Sequence, residues 1–141
     1  MAKGERAISL LEQDYEFVYV HVNAPDEASH AGLVDEKIRS FESIDKHIVK
    51  PILDYFNRNP KELGGISVTT DHYTNLFASN HRRVEAHSID QVPFAIFNGE
   101  SKDTCNSFSE VSVRNFSKSI KVINHLDFLP LFINSKTNRR K

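Results

Sequence analysis

Cysteine occurs once in the chain, at Cys105. A single thiol cannot close an internal disulfide, which fits a reducing compartment, and a cytoplasmic location is the expectation. Set in a polar stretch, Cys105 reads as an inert thiol rather than a nucleophile. No apolar run approaches the roughly 20 residues of a membrane span. The N-terminal Met-Ala-Lys-Gly-Glu-Arg lacks the apolar core of a signal peptide. Neither sign of charge dominates: the net charge is −1 at pH 7. No strong field therefore draws the chain to nucleic acid or to an anionic membrane, and neither partner is expected. A Gly-rich phosphate loop is also missing, because Gly64-Gly65 precedes an apolar segment instead of following one. At 141 residues the length fits one domain with a real core, and neither an internal repeat nor a dividing linker is visible.

Taken in order, residues 5–14 space Ala7, Ile8, Leu10 and Leu11 as a short amphipathic helix. Residues 17–22, apolar and rich in β-branched and aromatic side chains, predict a buried strand. Pro25 then suits the first turn of a helix, and Gly32 marks a break or a close approach. A long helix is expected over about 33–57, with Val34, Ile38, Phe41, Ile48, Ile52 and Phe56 on one face. Pro51 within it predicts a kink, and Asn57-Arg58-Asn59-Pro60 a stop. Residues 66–70 and 92–97 read as two further strands, residues 98–107 as a surface loop. Residues 125–133 are expected to be helical until Pro130 perturbs them, and 135–141 to form a disordered basic tail. Strands separated by a long helix argue for an α/β fold with a parallel sheet flanked by helices.

The candidate chemistry lies where the strands end. Asp26 and His30 follow the first strand at a spacing that sets them side by side on a helical turn. Asp71 and His72 follow the second directly, and His87 precedes the third. Sites in open α/β sheets gather at strand ends. Carboxylate oxygens and imidazole nitrogens together suit a metal such as Zn or Mn. The bland alternative is a set of solvated loop histidines. The other histidines read as structural: His21 in the strand, His47 on the long helix, His125 at the cap of the last helix, with His81 a candidate for a supporting role. Arg82-Arg83 reads first as surface salt bridging, although the pair could fork a phosphate.

Three segments carry a resemblance. Ala24-Pro25-Asp26-Glu27-Ala28-Ser29-His30-Ala31-Gly32, Thr70-Asp71-His72-Tyr73-Thr74 and His87-Ser88-Ile89-Asp90-Gln91-Val92-Pro93-Phe94 resemble, in order and spacing, segments of the archaeal-type cofactor-independent phosphoglycerate mutases. The resemblance runs from about Asp14 to Phe97 and more loosely through Leu129-Pro130-Leu131. Two departures stand out: Ser29 replaces a usual Gly, which a helical backbone tolerates, and Tyr73 replaces a Pro.

The resemblance implies an alkaline phosphatase-like fold with two divalent metal ions, Mn or Zn with Mg as a further option, of which at least one is expected here. Asp26, His30 and His87 would hold one ion, Asp71 and His72 the other. It implies a glycolytic isomerase that moves phosphate between the 3- and 2-hydroxyls of glycerate through a phosphoserine, on a phosphoglycerate-type substrate. The family's Asp and nucleophilic Ser near the start of the full-length enzyme have no counterpart before Asp14. Residues 1–134 are therefore expected to be the C-terminal metal-binding portion, a partial fold that binds its missing N-terminal half or self-associates. No catalytic residue is identified within the chain. A phosphohydrolase or other phosphotransferase of the same superfamily, and a non-catalytic partner subunit, are the competing functions.

Overall fold

The computed structural model describes residues 3–59, 65–76, 87–98, 105, 107–117 and 122–137. The chain divides into two compact units, one of Met1–Pro60 with His72–Gln91, the other of Lys61–Asp71 with Val92–Lys141. The expected residues His81, Arg82 and Arg83, and most of the 98–107 loop, lie outside the described residues.

In the first unit, α1 (Lys3–Leu11) is the short helix expected near 5–14, with Ala7 buried. Residues 17–22 carry no strand assignment and have no ladder partner among the described residues. β-propensity describes fit to a sheet surface, so an apolar run forms a strand only where neighbours pair with it. Phe17 and Tyr19 are accordingly exposed. Helix α2 (Ala24–His30) starts with Pro25 in its first turn. It closes with the Leu33 N–H donating to the Ala28 carbonyl at 2.9 Å and the Gly32 N–H donating to the Ser29 carbonyl at 3.0 Å. This paired closure needs a left-handed residue, and Gly32 supplies it at φ 70°.

The long helix is continuous but changes pitch: α3 (Val34–Ile44), a π turn (Asp45–Val49), then α4 (Lys50–Arg58). Pro51 explains the turn. It has no N–H to give the His47 carbonyl one turn back, and its ring crowds that oxygen. Just upstream the ladder widens, with the Lys50 N–H bonding the Asp45 carbonyl. The expected kink is thus absorbed as a π bulge. Gly4 of α1 closes on the same point: a Cβ there would lie 2.2 Å from the His47 carbonyl oxygen. Ile52 and Tyr55 are buried on α4. The expected apolar face is not buried along its whole length, since Val34, Ile38 and Phe41 are exposed.

Among the described residues four short strands follow: β1 (Ile66–Thr69), β2 (Tyr73–Thr74), β3 (His87–Ser88) and β4 (Phe94–Phe97). The expected parallel sheet is not seen among the described residues. Among the described residues both sheets are two-stranded and antiparallel, β1 with β4 and β2 with β3. Parallel neighbours require a crossover, usually a helix. Between β1 and β4 the described chain carries the β2–β3 ladder instead.

In the second unit, β1 and β4 pair Ile66 with Phe97 and Thr69 with Phe94, and Phe94 meets Phe128 edge to face at 5.3 Å. Helix α5 (Glu110–Ser117) was not anticipated. Helix α6 (His125–Thr137) runs through Pro130 and three residues into the stretch expected as a tail; residues 138–141 lie outside the described residues. Its cap is Asn124, whose Oδ1 accepts the Leu126 N–H at 3.0 Å, rather than His125.

Gly4→Ala is expected to lower the urea midpoint of unfolding, by about 1–3 kcal/mol of stability, because the new methyl group meets backbone that cannot rotate away. An unchanged midpoint would mean that α1 is not seated on the π turn.

Candidate metal centre

The site lies entirely within the first unit. One turn of α2 sets Asp26 beside His30, with His30 Nε2 3.5 Å from Asp26 Oδ1. The β2–β3 ladder places Thr74 opposite His87, and opposed residues share a face of the ladder. His87, 57 residues further on than His30, thereby arrives with its Nε2 3.0 Å from His30 Nε2. The same nitrogen is 3.7 Å from Asp26 Oδ1.

The three separations suit one cation. Bonds of about 2.1 Å in tetrahedral arrangement put neighbouring donors roughly 3.4 Å apart, within the observed spread of 3.0, 3.5 and 3.7 Å. One carboxylate oxygen with two imidazole nitrogens fits Zn or Mn better than Mg, which prefers oxygen throughout. All three side chains are partly exposed, so further coordination positions would face solvent or a small ligand.

Two neighbours shape this trio. The Thr74 hydroxyl donates to Asp26 Oδ1 at 2.6 Å. That bond is the main reason the Asp26 carboxyl lies below the ordinary carboxylate value; partial burial opposes it, and the charges of His30, His87 and His72 reinforce it. His72 stacks on His87, with ring centres 3.9 Å apart and planes 25° from parallel.

Of the five residues expected as ligands, Asp26, His30 and His87 meet, and His72 joins them through its ring. Asp71 is exposed and belongs to the second unit, 3.5 Å from the Thr70 hydroxyl. Sequence reasoning passed over Thr74 as a site residue. The signal was present: on an extended segment Thr74 lies two residues beyond His72 and so on the same side. Lys37 was also missed; its ammonium donates to the Thr74 carbonyl at 3.1 Å and ties β2 to α3.

The remaining candidates lie outside the trio. Ser29 is buried on helical backbone and donates to the Pro25 carbonyl at 2.6 Å. The Ser88 hydroxyl donates to the Asp90 carboxylate and accepts the Asp90 N–H at 3.0 Å. Neither serine directs its hydroxyl proton at the trio. His21 stacks on Tyr19 at 6.4 Å, His47 is exposed on the π turn, and the Cys105 thiol donates to the Ser107 carbonyl at 3.3 Å.

Two imidazoles and a carboxylate between a helix end and a ladder are a donor set that could hold a metal ion, and the chain belongs to the Metalloenzyme superfamily, whose family model matches residues 1–126. Its relatives narrow the comparison. The chain is similar to the 2,3-bisphosphoglycerate-independent phosphoglycerate mutase of Methanosarcina mazei, 39% identical over 74% of this chain and 25% of that one. Phosphoglycerate mutase 2 of Methanothermobacter thermautotrophicus is 38% identical over 82% of this chain and 27% of its own length. The Saccharolobus islandicus mutase is 34% identical over 99% and 31%. The chain thus spans about a quarter to a third of the length of these relatives. No solved structure matches it. Among the described residues no helix is long and apolar enough to cross a membrane.

The lowered Asp26 value has a definite sign for stability. The folded state binds fewer protons than the unfolded one, so the contribution is full above the ordinary value and is lost as pH falls through the lowered one. In metal-free solution the urea midpoint of the wild type should therefore fall more steeply below about pH 5 than that of Asp26→Asn. Parallel curves would mean that the Thr74–Asp26 bond contributes nothing.

Proposed function

We propose that this chain is the metal-binding C-terminal portion of a phosphoglycerate mutase-like enzyme of alkaline phosphatase-like fold. It would interconvert 3- and 2-phosphoglycerate when joined by the portion that supplies the nucleophile. The observation that carries this reading is the meeting of Asp26, His30 and His87 from two segments far apart in the chain. On this reading these three hold a divalent ion, Mn or Zn, and Asp71 with His72 contributes to a second. A bound cation would neutralise phosphoryl oxygens and ease deprotonation of a hydroxyl nucleophile. Within the chain, Asp26 supplies the negative charge, His30 and His87 the neutral donors, and the partial exposure of all three leaves room for a phosphate group.

The surface of the first unit supports a missing neighbour. Tyr15, Phe17 and Tyr19 are exposed large side chains on a segment without helix or strand assignment. Leu33, Val34, Ile38 and Phe41 expose an apolar stripe on and beside α3. Such an exposed segment and apolar stripe call for pairing and cover. Strands from the N-terminal portion, pairing with residues 17–22, would build the parallel sheet of the family. Without them the same surfaces favour self-association.

Purified chain should bind Zn or Mn with a stoichiometry of at least one, and His30→Ala should lose that ion. Affinity should weaken as the solution is acidified, because protons compete for the imidazole nitrogens. Titration calorimetry with elemental analysis reads both effects, and equal metal content in the two proteins would overturn the assignment.

The metal-loaded chain alone should give no conversion of 3- to 2-phosphoglycerate, since the hydroxyls of Ser29 and Ser88 are already engaged. Mixed with the separately expressed N-terminal portion of the Methanosarcina mazei relative, it should form a complex and recover turnover, which Asp71→Ala removes. Turnover by the isolated chain would contradict this account, as would a stable complex without activity.

A further inference from the structure

Thr74 sits where three parts of the first unit converge. Its backbone is in the β2–β3 ladder opposite His87. Its carbonyl accepts the Lys37 ammonium from α3 at 3.1 Å. Its hydroxyl contacts both Asp26 Oδ1 at 2.6 Å and His72 Nδ1 at 3.2 Å.

The proton count of the hydroxyl decides what these contacts do. A threonine hydroxyl has one proton to donate and lone pairs to accept. An ionised carboxylate only accepts, so the proton of Thr74 points at Asp26. The contact to His72 is then attractive only if Nδ1 carries a proton and donates it to the hydroxyl oxygen. In neutral His72 this leaves the lone pair on Nε2. The sequence of bonds runs from His72 Nδ1–H to the Thr74 hydroxyl to Asp26 Oδ1, the same oxygen that faces His30 and His87.

We propose that Thr74 is a positioning residue that joins Asp26 to His72, holding the carboxylate oxygen at the trio and fixing His72 in the tautomer whose Nε2 is the donor atom for a ligand. The inference rests on the metal-binding reading for its consequence and on the geometry alone for the tautomer. Outer hydrogen bonds of this kind orient ligands and set which imidazole nitrogen is free, and their loss typically weakens metal binding about 10–100-fold. Thr74 is distinctive in serving two ligand candidates with one hydroxyl: Asp26, grouped with His30 and His87, and His72, grouped in sequence with Asp71.

Thr74→Val keeps the shape and the strand propensity and removes only the hydroxyl; Thr74→Ser restores it. Long-range ¹⁵N–¹H correlation spectra of the metal-free full chain report the His72 tautomer without any ion. The wild type and Thr74→Ser should show Nδ1 protonated, and Thr74→Val should show a mixture or the reverse. Zn titration should show about 10–100-fold weaker binding in Thr74→Val and near wild-type binding in Thr74→Ser. An unchanged tautomer in Thr74→Val would overturn the inference, whatever the metal does. If the tautomer shifts while no protein in the series binds Zn or Mn, the positioning role stands and the metal-binding reading falls. If Zn binds the wild type and Thr74→Val equally despite a tautomer shift, the hydroxyl does not hold Asp26 for the ion, and that half of the inference fails.

Discussion

The pairing of Thr74 with His87 is the constraint on which the site depends. It is a ladder of only two residues on each strand, too short to be stable alone in water. Its support comes from side chains outside it: Lys37 on the Thr74 carbonyl and Asp26 on the Thr74 hydroxyl. The dependence is mutual. The ladder sets His87 against His30, and Asp26 and Lys37 help to hold β2 beside α2 and α3. A register slip of one residue would turn His87 away from the trio and bring Ser88 in its place.

Much of the local structure was legible because it rests on local rules. Asp26 and His30 were placed together by helical periodicity, and Pro25 and Gly32 bracketed the short helix that carries them, through a fixed φ at one end and a left-handed φ at the other. The Pro51 kink was legible in position, not in form, since a proline can be met by a bend or by a widened turn. What sequence could not supply was pairing. Residues 17–22 have the composition of a strand, but composition does not provide a neighbour. The β1–β4 pair is antiparallel because of the path between its strands, which no single window of residues encodes.

The site divides along the same line. The motif spacing brought out Asp26, His30 and His87, and the structure gathers them. Asp71 and His72 are adjacent in the chain and read as one pair, but they fall in different compact units. Thr74 was quoted within a motif and given no role, because a hydroxyl two residues from a histidine carries no composition signal. Its importance comes from the oxygen it bonds rather than from its residue type.

The exposed apolar residues follow from the same physics as the site. A helix with a buried stripe only on its second half, Ile52 and Tyr55 against exposed Val34, Ile38 and Phe41, is amphipathic toward two different surroundings. The α4 half packs on α1, where Gly4 permits close approach. The α3 half bears Lys37, the residue that steadies β2, and turns its apolar side outward. Cover over that stripe would restrain α3, and through Lys37 the ladder that presents His87. Lys37 is one link among others, since α2, which carries Asp26 and His30, also packs on α3.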